Sequence, residues 1–184
     1  LAAFSAAVAP LLVGERLSNE DYFNIMQVTQ KVGGRSALYT RMGGGEVVQR
    51  FGLGHGTNFA DMGPETAILV VASDLQEEAP IWWLRVKQAT DRGAKLIVLN
   101  PRPTRLDPYA AHVVRYGYGD ELVTMRALLD GELTDEGLKA ALAAFTAAEN
   151  RVVIYGSEGI GLPETTALAH AGAELLLKHG YSGQ

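Results

Sequence analysis

Ala67-Ile68-Leu69-Val70-Val71-Ala72 is an unbroken apolar run, too short for a buried helix and bounded by Pro64 and Asp74. Such a run reads as a strand covered on both faces. The polar turn Ser73-Asp74-Leu75-Gln76-Glu77-Glu78 follows. Pro80 then stands where a first-turn proline belongs, because its missing N–H costs nothing there. The spacing predicts a helix over Pro80 to Arg92, with Trp82, Val86 and Ala89 on its buried face and Gly93 closing it. A second apolar run, Lys95-Leu96-Ile97-Val98-Leu99, breaks at Asn100-Pro101-Arg102-Pro103-Thr104-Arg105. These pieces make one βαβ unit. Its two strand-end loops open on the same edge of a sheet, the edge where ligands sit in open α/β folds.

The same alternation extends in both directions. Upstream, Leu11 to Val13 reads as a strand, and Ser18 caps a helix from Asn19 to Val32, with Asp21 completing an imperfect capping box. Phe23, Met26 and Tyr22 are expected to face inward. An alanine-rich helix is expected over Leu1 to Val8, and a short strand over Ser36 to Thr40. Downstream, Ala111 to Arg115 reads as a strand. A helix opened by Asp120 carries Leu122, Met125 and Leu129 on one face. Another, capped by Thr134, carries Leu138, Leu142 and Phe145. A strand over Arg151 to Tyr155 leads through Gly156-Ser157-Glu158-Gly159-Ile160-Gly161 into a helix from Pro163 to His179 that buries Leu168, Ala171 and Leu175. The pattern predicts an α/β fold: a doubly wound, mainly parallel sheet with helices on both faces. Between Met42 and Gly63 the pattern dissolves into glycines, leaving either a backbone-lined ligand or interface loop or a flexible connector.

Length and composition bound the function. The chain has 184 residues, enough for one sizeable core, so a single domain over 1–184 is the default. Its net charge of −5, with no basic stripe, argues against a nucleic-acid partner. With no cysteine there is no disulfide, no thiolate nucleophile and no cysteine-held iron–sulfur cluster within these residues. Leu1 to Val13 lacks a basic start, contains Pro10 and is shorter than the roughly 20 residues that span a bilayer. It reads as folded structure, not as a signal or a membrane insertion. The chain begins without methionine and ends abruptly on Tyr181-Ser182-Gly183-Gln184, so a fragment of something longer is expected.

Few residues suggest chemistry. The Gly156 to Gly161 turn lies between a strand and a helix, where backbone N–H groups favour an anion. Its spacing is G-x-x-G-x-G, Glu158 sets a negative charge inside it, and Pro163 removes a donor, which favours a plain βα turn. Asp74, Glu77 and Glu78 are an acid or metal set on one reading and ordinary complements of a helix dipole on the other. Asp74, at a strand end, can accept from a ribose hydroxyl. Arg102 and Arg105 can fork onto phosphate or onto carboxylates, whether a partner's or the chain's own. Of His55, His112, His170 and His179, only His55, in the glycine-rich stretch, invites a functional reading. No Ser/His/Asp arrangement and no G-x-S-x-G elbow is present.

Several motifs together resemble the molybdopterin-type oxidoreductases. Leu17-Ser18-Asn19-Glu20-Asp21-Tyr22 is similar to their L-S-N-E-E-x-Y, and Thr57-Asn58-Phe59-Ala60-Asp61-Met62 to T-N-x-x-A-D-I. Ser73 to Pro80 resembles G-S-N-P-A-E-x-H-P, Asn100-Pro101-Arg102-Pro103-Thr104 resembles D-P-R-x-T, and Leu175 to Gly183 resembles L-x-x-x-T-G-x-x-G. In the family those loops hold the guanine dinucleotide ends of the pterin cofactor. The matching positions here are Ser73, Asp74, Glu77, Asn100, Arg102, Thr104 and Asn58. Three departures stand out: the family's asparagine is Asp74, its histidine is Ala79 and its aspartate is Asn100. They imply an inherited pocket whose cofactor binding is weakened or lost.

The run Asp74 to Asp107 looks most like the large iron–sulfur subunit of NADH:quinone oxidoreductase (respiratory complex I), which keeps this fold while commonly lacking the molybdenum cofactor. That resemblance implies a scaffold portion with no cofactor of its own and iron–sulfur clusters in an N-terminal part outside this chain. Its partners would be the other domains of the same subunit and other hydrophilic-arm subunits of complex I. Its location would be the cytoplasmic side, peripheral to the inner face of the cell membrane. Two alternatives stay open: a formate dehydrogenase or nitrate reductase type of enzyme binding molybdopterin guanine dinucleotide, and a nucleotide-binding module built on Gly156 to Gly161.

Overall fold

A computed structural model of the chain describes residues 10–14, 17–38, 42–51, 60–131 and 133–181. It divides into two compact units, Leu1–Arg41 and Met42–Gln184. The helix expected over Leu1 to Val8 lies outside the described residues.

In the smaller unit, β1 (Pro10–Val13) and β2 (Arg35–Leu38) pair in parallel across α1 (Asn19–Lys31), with Pro10 opposite Arg35. The Ser18 hydroxyl accepts from the Asp21 N–H at 3.1 Å, and the Asp21 carboxylate accepts from the Ser18 N–H at 3.3 Å. The capping box is therefore closed in both directions. The covered stripe of α1 is not the expected one. Phe23 and Met26 are 61% and 53% exposed, while Tyr22, Ile25, Thr29 and Val32 are the covered positions. Polar tips on that stripe are satisfied locally: the Tyr22 hydroxyl donates to the Gly14 carbonyl and the Thr29 hydroxyl to the Ile25 carbonyl, each at 2.7 Å. Burying them therefore leaves no orphaned hydroxyl.

The larger unit begins with α2 (Gly45–Phe51), a helix within the stretch that reads as patternless in the sequence. Its sheet comprises β3 (Thr66–Val71), β4 (Lys95–Leu99), β5 (His112–Val114) and β6 (Asn150–Tyr155), in the order β5-β4-β3-β6 and parallel throughout. β3 is central, with Ala67 opposite Lys95 on one side and Arg151 on the other. Its side chains alternate between two cores, so every residue of the run is buried. Ile68 and Val70 join Leu96, Val98 and Val152 against Val86 and Ala89 of α4 (Pro80–Asp91), which follows the short α3 (Leu75–Glu78). Leu69 and Val71 join Ile97 and Leu99 on the other face. There they meet Met125 and Leu128 of α5 (Glu121–Asp130), Phe145 of α6 (Glu136–Ala147), and Leu168 and Leu175 of α7 (Leu162–Lys178). This is the expected doubly wound arrangement.

Four details differ from the sequence expectation. The polar turn after β3 contains α3. Trp82 is 42% exposed, and Trp83 instead packs on the inner cluster, edge-on to Tyr109. Asp135, not Thr134, caps α6, its carboxylate accepting from the Leu138 N–H at 2.8 Å. β4 passes to β5 through a 3-10 turn (Asp107–Tyr109), so helices do not alternate with strands everywhere.

Candidate functional site

The strand order fixes where a ligand would sit. From β3 the chain winds outward through β4 to β5, then returns through α5 and α6 to lay β6 on the opposite side of β3. The winding direction therefore reverses between β3 and β6, and the crevice of such a sheet lies outside the carboxyl ends of those strands. Ala72-Ser73-Asp74 leaves β3 there, Gly156-Ser157-Glu158 leaves β6, and Asn100-Pro101-Arg102 arrives from neighbouring β4.

The chain itself closes much of that edge. Backbone pairing runs on past the strand ends: the Gly156 N–H donates to the Val71 carbonyl at 3.0 Å, the Glu158 N–H to the Ala72 carbonyl at 2.9 Å, and the Ala72 N–H to the Leu99 carbonyl at 3.0 Å. Ala72 has φ +50°, the one non-glycine positive φ among the described residues. Gly156 is needed where it stands, because a Cβ there would come within 2.5 Å of the Ala72 carbonyl oxygen and 2.6 Å of Ser73 Cβ.

Arg102 ties the three strand ends together. Its Nε and Nη2 donate to the two oxygens of Glu158, each at 2.9 Å, and its Nη1 lies 3.0 Å from Asp74 Oδ2. The bidentate bond to Glu158 is the main reason the guanidinium is held above its ordinary proton affinity; the charge of Asp74 adds to it. Asn100, fully buried, supports the loop: its Nδ2 donates to the Ser73 carbonyl at 3.3 Å and its Oδ1 accepts from the Arg102 N–H at 3.0 Å. The Ser73 hydroxyl donates to Glu78 Oε2 at 3.0 Å, and the Asp74 N–H donates to Glu78 Oε1 at 3.2 Å. Glu78 is exposed as a residue, but its carboxylate is turned into this network. Desolvation there outweighs those two hydrogen bonds and raises its pKa above the ordinary value. Asp74 is 5% exposed, and its Oδ1 has no hydrogen-bond partner.

Of the residues named from the sequence, Ser73, Asp74, Asn100 and Arg102 therefore converge. Glu77 does not: it is exposed on α3. Thr104 turns away, its hydroxyl donating to Asp107 Oδ1 at 2.9 Å at the head of the 3-10 turn. Asn58 and His55 lie outside the described residues. The residues that sequence reasoning did not bring into the site are Gly156, as the point of closest approach, and Glu158, as the partner of Arg102. An acid inside a glycine turn and an arginine just beyond a neighbouring strand were the available signal. Among the described residues no group of three or more His, Asp or Glu side chains could hold a metal ion, and no helix is long and apolar enough to cross a membrane.

Fold and site thus define a parallel α/β protein whose switch point is crossed by its own ion pairs. No protein-family model and no curated protein matches the chain. Solved structures do. Acetylene hydratase from Pelobacter acetylenicus is similar with a TM-score of 0.65 at 14% identity, over 94% of this chain and 29% of that one. The formyltransferase/hydrolase complex from Methylorubrum extorquens, solved with methylofuran, is similar with a TM-score of 0.56 at 15% identity, over 95% of this chain and 52% of that one. The chain spans less than a third of the acetylene hydratase it matches. The shared feature is the fold, a parallel α/β sheet flanked by helices.

Proposed function

We propose that this chain is a structural portion of a larger electron-transfer subunit of the NADH:quinone oxidoreductase type, in which the nucleotide-end pocket of a molybdopterin-type fold has lost its tenant. The observation that carries this reading is the commitment of Arg102. Three of its N–H contacts are spent on Glu158 and Asp74, and the space beside Gly156 is filled by Ala72 and Ser73. A pterin dinucleotide needs free donors for its phosphates and room for them to approach the backbone. On this reading the residues present do not fit that group.

On this reading the domain packs beside cluster-bearing domains of the same subunit and against other hydrophilic-arm subunits, on the cytoplasmic face of the membrane. The test is the full-length protein purified from its source. Expected are iron, elution together with NADH dehydrogenase activity, and neither molybdenum nor tungsten. Stoichiometric molybdenum or tungsten sinks the proposal.

One observation favours a second reading, a dinucleotide-binding part of a formate dehydrogenase or nitrate reductase type of enzyme. Asp74 Oδ1 is a buried acceptor with no donor, at a strand end where a ligand's hydroxyl or amide could supply one. The same metal analysis separates the two.

A further inference from the structure

We propose that Arg102 is an intramolecular ligand: a guanidinium clamp that holds the switch-point crevice shut, over an anion site that returns when its two carboxylate partners are neutralised. This rests on the reading of a closed pocket and names what closes it.

The geometry is that of a clamp across the sheet. Arg102 follows β4 and Glu158 follows β6, and these strands are not neighbours, because β3 lies between them. The side chain must therefore pass over the carboxyl end of β3, where it meets Asp74. A bidentate guanidinium–carboxylate pair fixes both distance and plane, which a single lysine contact would not. Each end is also fastened by backbone: the Arg102 N–H donates to Asn100 Oδ1, and the Glu158 N–H donates to the Ala72 carbonyl.

Charge reinforces closure. Asp74 and Glu158 hold the one guanidinium, and Glu78 stands close enough to feel the charge of both, so in their ionised forms three negative charges cluster where one positive charge lies. A diphosphate would have to displace a carboxylate from Arg102 and then sit beside the others. At close range such like-charge contacts are strongly unfavourable even in the partly screened environment of a protein surface. Replacing Asp74 and Glu158 by their amides keeps shape, removes two of the three charges and releases the guanidinium. The strand-end loops and the N-terminus of α7 remain in place.

The experiment uses the full-length protein and inorganic pyrophosphate as the probe, with binding measured by calorimetry. The wild type is expected to be silent at millimolar pyrophosphate. The Asp74→Asn/Glu158→Gln variant is expected to bind at least about tenfold more tightly than the wild type's limit. If neither protein binds, the clamp is refuted while the closed pocket stands. If the wild type binds as tightly as the variant, both fall. A measurement on the unaltered protein guards against a variant that does not fold: phenylglyoxal modification followed by peptide mapping. Arg102 is expected to react several-fold more slowly than the exposed Arg105, and equal rates overturn the proposal.

Discussion

Gly156 stands so close to the end of β3 that its missing side chain is what lets β6 reach the central strand's carbonyl edge. A Cβ there would lie 2.5 Å from the Ala72 carbonyl oxygen, 2.6 Å from Ser73 Cβ and 2.7 Å from Glu78 Oε2. Two of those three atoms belong to a buried turn that cannot yield. Gly156→Ala is therefore expected to destabilise the fold by about 1–3 kcal/mol, the usual range for overpacking a filled site. Denaturant unfolding of the variant beside the wild type checks it; an unchanged midpoint would contradict the geometry.

Ala72 offers the opposite case. It is fully buried, so removing its methyl should cost about 0.8 kcal/mol by transfer alone. Yet its φ of +50° lies in the left-handed region, where a Cβ costs roughly 1–2 kcal/mol. The two terms nearly cancel, so Ala72→Gly is expected to be neutral or slightly stabilising. Ala67→Gly, equally buried but within β3, is expected to cost about 1 kcal/mol or more. The difference between the two variants, read in the same unfolding experiment, is the test.

The glycines at the start of α2 divide in the same way. A Cβ on Gly43 would meet Thr166 Oγ1 at 2.0 Å and the Leu162 carbonyl oxygen at 2.6 Å, whereas one on Gly45 would meet nothing within 4 Å. Gly43 is also held at both ends, its N–H donating to Thr165 Oγ1 at 2.7 Å and its carbonyl accepting from the Tyr155 hydroxyl at 3.0 Å. Gly43→Ala should release α2 from α7, seen as faster amide exchange over residues 45–51. Gly45→Ala should leave exchange unchanged or slow it, since alanine favours the helix by up to about 1 kcal/mol.

Glu78 gives the pH prediction. Its pKa is raised above 4.5, chiefly by burial of its carboxylate. Between 4.5 and its higher folded value the native state binds more protons than the unfolded state, so this group's contribution to stability falls as pH rises through that window. Glu78→Gln is expected to remove that part of the slope and make stability less pH-dependent just above pH 4.5. Unfolding midpoints of both proteins, followed from about pH 4 to about pH 7, decide it; parallel curves would show that Glu78 is not the titrating group.

Much of this architecture was legible because parallel strands bury both faces. Ala67 to Val71 and Lys95 to Leu99 announce themselves as continuous apolar runs. Helix faces were harder. Phe23 and Met26 are large and apolar, but the covered line of α1 runs through Tyr22 and Thr29, whose hydroxyls find carbonyls that the sequence does not reveal. Trp82 and Trp83 are adjacent, and a rotation of one residue exchanges their roles. α2 was hidden by glycines that serve a close approach to α7, a purpose visible only once that helix is in place. At the site, Ser73, Asp74, Asn100 and Arg102 were found from strand-end position and motif. Glu158 was not paired with Arg102, because 56 positions separate them and strand order decides that they meet.

The placement of β6 beside β3 also governs the order in which the molecule can form. Thr66 and Asn150, opposite one another in that pairing, are 84 positions apart, whereas β3 and β4 are joined through the short α3 and α4. Closing the longer loop costs more chain entropy than closing the shorter one. The β3–α4–β4 half can therefore assemble early, while the central strand waits for its second neighbour. Gly156, Glu158 and the grip on Arg102 come with β6, the last strand of this sheet in chain order, so the crevice cannot be clamped before β6 has paired with β3.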